Sequence, residues 1–156
     1  KPTPHQVRAE AWMSIIHGSE GLIYFVHEWE PKFNEAALLS DPQMLAAVTA
    51  LNGQIQKLAP VLNTPSLAEV VQVATGDSEV AVAAVAKRLG EALHIFAVGM
   101  RDGQTTATFT VKGATGQATV EVLHENRTLP LENGEFRDTF RPWDVHLYRI
   151  TARLDR

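Results

Sequence analysis

Six consecutive residues, Gly21-Leu22-Ile23-Tyr24-Phe25-Val26, limit what this chain can fold into more than any other feature. The run is apolar throughout and rich in β-branched and aromatic side chains, which predicts a strand buried on both faces, the kind found inside a parallel sheet. Helical patterns flank it. Thr3-Pro4-His5-Gln6 fits a capping box with Pro at the first helical position, and Val7, Ala11, Trp12, Ile15 and Ile16 repeat at helical spacing until Gly18 offers a left-handed stop. This predicts a helix over 4–17. Beyond a polar, Pro-containing connection, Asp41-Pro42 opens a second helix whose stripe is Met44, Val48, Leu51, Ile55, Leu58 and Leu62, with Pro60 placed to bend or end it.

Helix, buried strand, helix is the repeating unit of α/β architectures, but only one such strand is present. A lone strand leaves its edge amides and carbonyls unpaired, and two short helices do not cover both of its faces. The remaining strands are therefore expected either upstream of Lys1 in a longer parent protein or from assembly with another copy of the chain. The start at Lys1 rather than Met favours the first.

From Asn63-Thr64-Pro65-Ser66 onward the period changes from helical to alternating, which places a domain junction there and divides the chain into 1–63 and 64–156. Ala107, Phe109 and Val111 alternate with threonines, and Ala118, Val120 and Val122 repeat the pattern, each a strand with one dry and one wet face. Further strands are expected near 70–74, 80–86, 93–98, 128–131, 135–140 and 145–150. Gly76-Asp77, Arg101-Asp102-Gly103, the stretch 113–116 and Glu132-Asn133-Gly134 supply the turns. Many short strands with frequent turns indicate an antiparallel β-sandwich. The fold class is thus α/β plus all-β.

Composition removes several functions. The 45% apolar and 21% charged fractions suit a globular protein, and no apolar run approaches the ~20 residues of a membrane-spanning helix. A formal charge of −4 leaves no basic surplus for nucleic acid, and zero cysteines exclude a thiol nucleophile or thiolate metal site. No P-loop, G-x-S-x-G or G-x-G-x-x-G occurs. His27-Glu28-Trp29-Glu30-Pro31 begins like a zinc-protease motif but has Pro31 where the second His belongs, and His124-Glu125-Asn126-Arg127-Thr128 ends in Thr. Nothing in the sequence demands a cofactor or a metal ion.

The stretch from Glu10-Ala11-Trp12 through His17-Gly18 and on to Gly21-Leu22-Ile23-Tyr24-Phe25 resembles the seventh helix and eighth strand of (β/α)8-barrel glycoside hydrolases, with 41–62 as the eighth helix. Gly134-Glu135-Phe136-Arg137-Asp138-Thr139-Phe140 and Val145-His146-Leu147-Tyr148-Arg149-Ile150 look like the final strands of the β-sandwich that follows the barrel in many of those enzymes. The resemblance implies that 1–63 is the end of a TIM (β/α)8 barrel and 64–156 its appended sandwich. It also implies a retaining, two-carboxylate hydrolysis of β-linked polysaccharide of glucan or xylan type, with a secreted or periplasmic location. The partners implied are a polysaccharide or oligosaccharide and the missing N-terminal barrel segment or a second copy, with no nucleic acid and no membrane.

In that family the catalytic carboxylates end the fourth and seventh strands, so no catalytic residue carries over to this chain. What carries over is the end of the eighth strand, at the active face of the barrel. His27, Glu28 and Trp29 stand there as substrate-binding candidates: the indole suits the apolar C–H face of a pyranose, and His and Glu suit its hydroxyls. Each also has a plain structural reading. Trp29 would cap the barrel core, Glu28 would bond a neighbouring loop, and His27 would order the strand end. Were the chain a complete enzyme, Glu28 with Glu30 or Glu35 would be its acid pair. His94, His124 and His146 are read as structural, Trp12 as core, and Trp143 with Phe140 and Tyr148 as sandwich anchors. A non-catalytic module gripping glycan through exposed sandwich aromatics is the alternative function, and a purely structural docking piece is a third.

Overall fold

The computed structural model describes residues 1–151. Helix α1, Pro4–Ile16, begins as its sequence dictates: the Thr3 hydroxyl accepts from the Gln6 amide while the Gln6 side chain accepts from the Thr3 amide, and Gly18 follows in a left-handed conformation. Helix α2, Pro42–Leu62, is capped by Asp41, whose carboxylate accepts from the Met44 amide. It runs through Pro60, which sits in its last turn and so leaves most of the hydrogen-bond ladder intact. A short 3-10 turn, Ala37–Ser40, leads into it. No helix among the described residues is long and apolar enough to cross a membrane.

Eight strands follow: β1 Val71–Thr75, β2 Val82–Leu89, β3 Ala92–Gly99, β4 Thr105–Val111, β5 Gln117–Val122, β6 Arg127–Glu132, β7 Glu135–Phe140 and β8 Val145–Ile150. All neighbouring pairs are antiparallel, in the order β1-β4-β7-β6-β5-β8-β3-β2. The strands expected from residue 70 onward are present, and the two-residue connection between β6 and β7 is Asn133-Gly134, both at positive φ as a twisted hairpin requires. A Cβ on Gly134 would lie 2.8 Å from the Ala114 carbonyl oxygen, so the turn also depends on the missing side chain. The expected all-β domain is formed by one continuous antiparallel sheet, which curls until β1 and β2 lie against each other in a nearly closed, barrel-like arrangement.

Two apolar cores result. Inside the barrel, Leu93, Ile95, Phe109, Val120, Leu131, Phe136, Phe140, Tyr148 and Ile150 pack together, with the Phe109 and Phe136 rings stacked at 4.6 Å. Outside it, Trp12 of α1 stacks at 5.4 Å on Phe96 of β3, joined by Val98, Val145, Leu147, Leu51 and Val61. Strand β3 faces both cores, which is why Leu93 to Val98 reads as an unbroken apolar run except at His94. Lys87 ties the end of α2 to the sheet through Thr64 O at 2.7 Å, and Arg8 ties α1 to Val145 O at 3.1 Å.

The run 21–26 departs from expectation. Its residues alternate between exposed and half-buried, but it forms no strand and pairs with none, and no parallel sheet occurs among the described residues. Leu22, Tyr24 and Val26 turn toward the helices, whereas Ile23 is 100% exposed and Phe25 74%. A doubly buried strand needs neighbours on two edges and cover on two faces; the helices supply cover on one face only.

Candidate functional site

The bare segment leads directly into a hairpin. Glu28 and Asn34 exchange backbone hydrogen bonds, Glu28 N–H to Asn34 O at 3.0 Å and Asn34 N–H to Glu28 O at 2.8 Å, closing the loop 29–33. Asn34 anchors it further, since its side-chain oxygen accepts from the Ala36 amide at 3.1 Å and its side-chain nitrogen donates to Ser40 Oγ at 3.4 Å. The hairpin brings four rings into a row: Phe25 and His27 at 4.9 Å, His27 and Phe33 at 5.9 Å, and Phe33 and Trp29 at 4.9 Å. Trp29 is 69% exposed and Phe33 50%, so the row is open to solvent. Such a row offers exposed aromatic faces on which an apolar ligand surface can stack.

The three sequence candidates do not converge. His27 and Trp29 stand either side of the Phe33 ring, but Glu28 turns to Lys1, whose ammonium lies 3.0 Å from Glu28 Oε1 and 3.1 Å from Asp41 Oδ2. Hydrogen bonds from Met44 N–H and Lys1 hold the Asp41 carboxyl below its ordinary range, and the two acids raise Lys1. This trio borders a groove of about 520 Å³, lined also by Tyr24, Val26, His27, Glu30 and Met44 but not by Trp29. Tyr24 donates to Asn52 Oδ1 at 2.9 Å, and burial pushes its phenol up. Glu30 and Glu35 are exposed, and only Glu30 reaches the groove.

A second polar cluster lies at one end of the barrel interior. Arg127 makes a two-pronged pair with Asp138 at 2.9 and 2.8 Å, and donates through Nε to Glu125 at 2.8 Å. Tyr148 OH donates to Asp138 at 2.9 Å, and His146 donates through Nδ1 to Glu125 at 2.6 Å, since a carboxylate only accepts. These pairings raise Arg127, and burial beside Asp138 raises the Tyr148 phenol. These side chains satisfy one another across three strands and the turn before β6, so the cluster pins β6, β7 and β8 together. Arg127 and Asp138 are 11 residues apart on separate strands, a pairing with no local sequence signal.

The remaining structural readings hold with one change. Trp12, Phe140 and Tyr148 are fully buried, Trp143 is half-buried against the outer core, and His94 and His146 are buried, but His124 lies in the exposed turn between β5 and β6 rather than on a strand. Every Phe, Tyr and Trp ring of 64–151 is wholly or partly covered, so the described residues of the barrel present no exposed row of such rings. Among the described residues no group of three or more His, Asp or Glu side chains is placed to hold a metal ion.

No protein-family model matches the sequence, and comparison with curated proteins finds no match. The fold, however, is similar to that of AmyP. A structure of an AmyP variant in complex with maltotriose superposes with a TM-score of 0.57 at 13% sequence identity, covering 94% of this chain and 35% of AmyP. A second AmyP structure, in complex with maltose, gives a TM-score of 0.48 at 16% identity over 74% of this chain and 22% of that one. The chain therefore spans about a third of the length of the first protein it resembles.

Proposed function

We propose that this chain is the C-terminal part of a glycoside hydrolase, with 1–63 closing a (β/α)8 barrel and 64–156 forming its appended β domain. The observation that carries the reading is the unpaired apolar segment 21–27: one side rests on the helices, Ile23 and Phe25 are bare, and the segment ends in an exposed aromatic hairpin. Barrel strands beside it would cover Ile23 and Phe25 and leave His27 and Trp29 at the mouth, where such barrels do their chemistry. The fold likeness to a protein three times as long supports the same reading. Catalysis follows a retaining two-carboxylate mechanism with both carboxylates upstream of this chain, which contributes one wall of the sugar cleft. Its substrate is β-linked glucan or xylan. The maltotriose bound to AmyP favours a second reading, an α-linked glucan.

Two measurements test this. The purified chain alone should release no reducing sugar from starch, barley β-glucan or xylan, and steady turnover would contradict the assignment of both carboxylates to upstream segments. Titrated with maltotriose, cellotriose and xylotriose, it should show weak binding that perturbs the Trp29 indole resonance. Preference for maltotriose selects the α-linked reading, preference for either of the others selects the β-linked one, and no perturbation by any of them removes the sugar site.

A further inference from the structure

We infer that Phe33 is the positioning residue of the sugar platform: it holds the Trp29 indole in the orientation that receives the sugar. The inference rests on the reading above and goes beyond it, because it assigns the geometry of the platform to a residue outside the strand end. The Phe33 ring lies between the other two, nearly parallel to His27 (16° between planes, 5.9 Å) and tilted 41° against Trp29 at 4.9 Å. No other ring lies within stacking range of Trp29 among the described residues, and its indole is 69% exposed. An indole so exposed, on a loop, samples several rotamers unless a neighbour restrains it, and a stack at this distance supplies that restraint.

Phe33 is itself held from behind. The paired backbone bonds between Glu28 and Asn34 fix the base of the hairpin, and the Asn34 side chain bonds Ala36 N–H and Ser40 Oγ next to α2. The geometry passes from the start of α2 through Asn34 to Phe33 and from there to Trp29. Sugar stacking is worth most when the ring is already in place, because ordering it on binding subtracts from affinity. Phe33 thus acts on affinity through Trp29.

Nuclear magnetic resonance of the chain labelled at indole nitrogen separates this from a passive role. The three tryptophans give three indole signals, and loss of one in Trp29→Ala assigns the platform. In the ligand-free chain Phe33→Ala should lower the order parameter of the Trp29 indole, while the conservative Phe33→Tyr keeps it. Titrated with maltotriose, cellotriose and xylotriose, Phe33→Ala should bind about fivefold more weakly than wild type, the loss expected of one aromatic pair, and Phe33→Tyr within about twofold. An unchanged Trp29 order parameter in Phe33→Ala overturns the inference and leaves the sugar site standing. A loosened indole with unchanged affinity overturns it as well. A wild-type chain that binds none of the three sugars overturns the reading on which it rests, whatever the indole does.

Discussion

Replacing Ile23 by threonine should leave the stability of this chain almost untouched, although Ile23 lies in its most apolar stretch. Its side chain is 100% exposed, so folding removes none of it from water, and the substitution keeps β-branching and hence the extended backbone. Surface changes of this kind fall within about 0.5 kcal/mol. Leu22, one residue earlier, packs against the outer core, and Leu22→Ala should cost about 1–2 kcal/mol, less than a fully buried leucine because the site is half open. The contrast reverses in an assembly where neighbouring strands cover the run: there burial of Ile23 is worth about 1.5–3 kcal/mol, and Ile23→Thr loses most of it. Urea denaturation followed by circular dichroism measures both variants on one scale, provided the slopes with denaturant agree. A loss above about 1 kcal/mol for Ile23→Thr in the chain alone would mean that Ile23 is buried within this polypeptide, and the argument for an unfinished sheet would fail.

Three further expectations concern named groups. Trp29→Ala should abolish perturbation by the trisaccharides with little change in melting temperature, because the indole is mostly exposed; a large drop in melting temperature with binding intact would assign it to packing instead. Asp138→Asn keeps the Tyr148 hydrogen bond but removes the charge that Arg127 grips with two nitrogens, and should cost about 2–3 kcal/mol in urea denaturation; a neutral outcome would mean that Glu125 and solvent suffice for Arg127. Burial, with Arg149 nearby, holds the His94 imidazole below its ordinary value. The folded state then binds fewer protons than the unfolded one, so this contribution is complete above about pH 6.5 and fades as pH falls through that value toward the lowered one. His94→Leu should flatten the decline in urea midpoint below pH 6.5, and a wild-type-minus-variant difference independent of pH would refute the assignment.

Most of the sheet was legible because half-buried strands carry their burial in alternation: Ala107, Phe109 and Val111 face the barrel interior while the threonines between them face out. The two most apolar runs were legible only as capacity. Residues 21–26 and 93–98 look alike in sequence, yet β3 has β2 on one edge, β8 on the other and a core on each face, whereas the earlier run has none of these but the helices. An apolar pattern states how much surface a segment can bury, not which partner buries it. The curl of one sheet into a barrel was hidden for the same reason, since alternation is identical in a sandwich and a barrel. In the candidate site, Trp29 was singled out through the family resemblance, as the residue that follows the apolar run. Phe33 was not, because the backbone pairing of Glu28 with Asn34 leaves no composition signal, and the intervening Pro31 reads as an interruption.

The strand order carries a consequence for how the molecule is made. Strand β3 is complete by residue 99, but one of its two edge partners, β8, spans Val145–Ile150, near the end of the chain. During synthesis the most apolar strand of the sheet leaves the ribosome some fifty residues before that edge is satisfied, a wait of several seconds at about 5–20 residues per second. Helix α1 and β2 are already available to shield it, so early docking of Trp12 on Phe96 gives the nascent polypeptide a way to keep β3 out of aggregates until its last neighbour arrives.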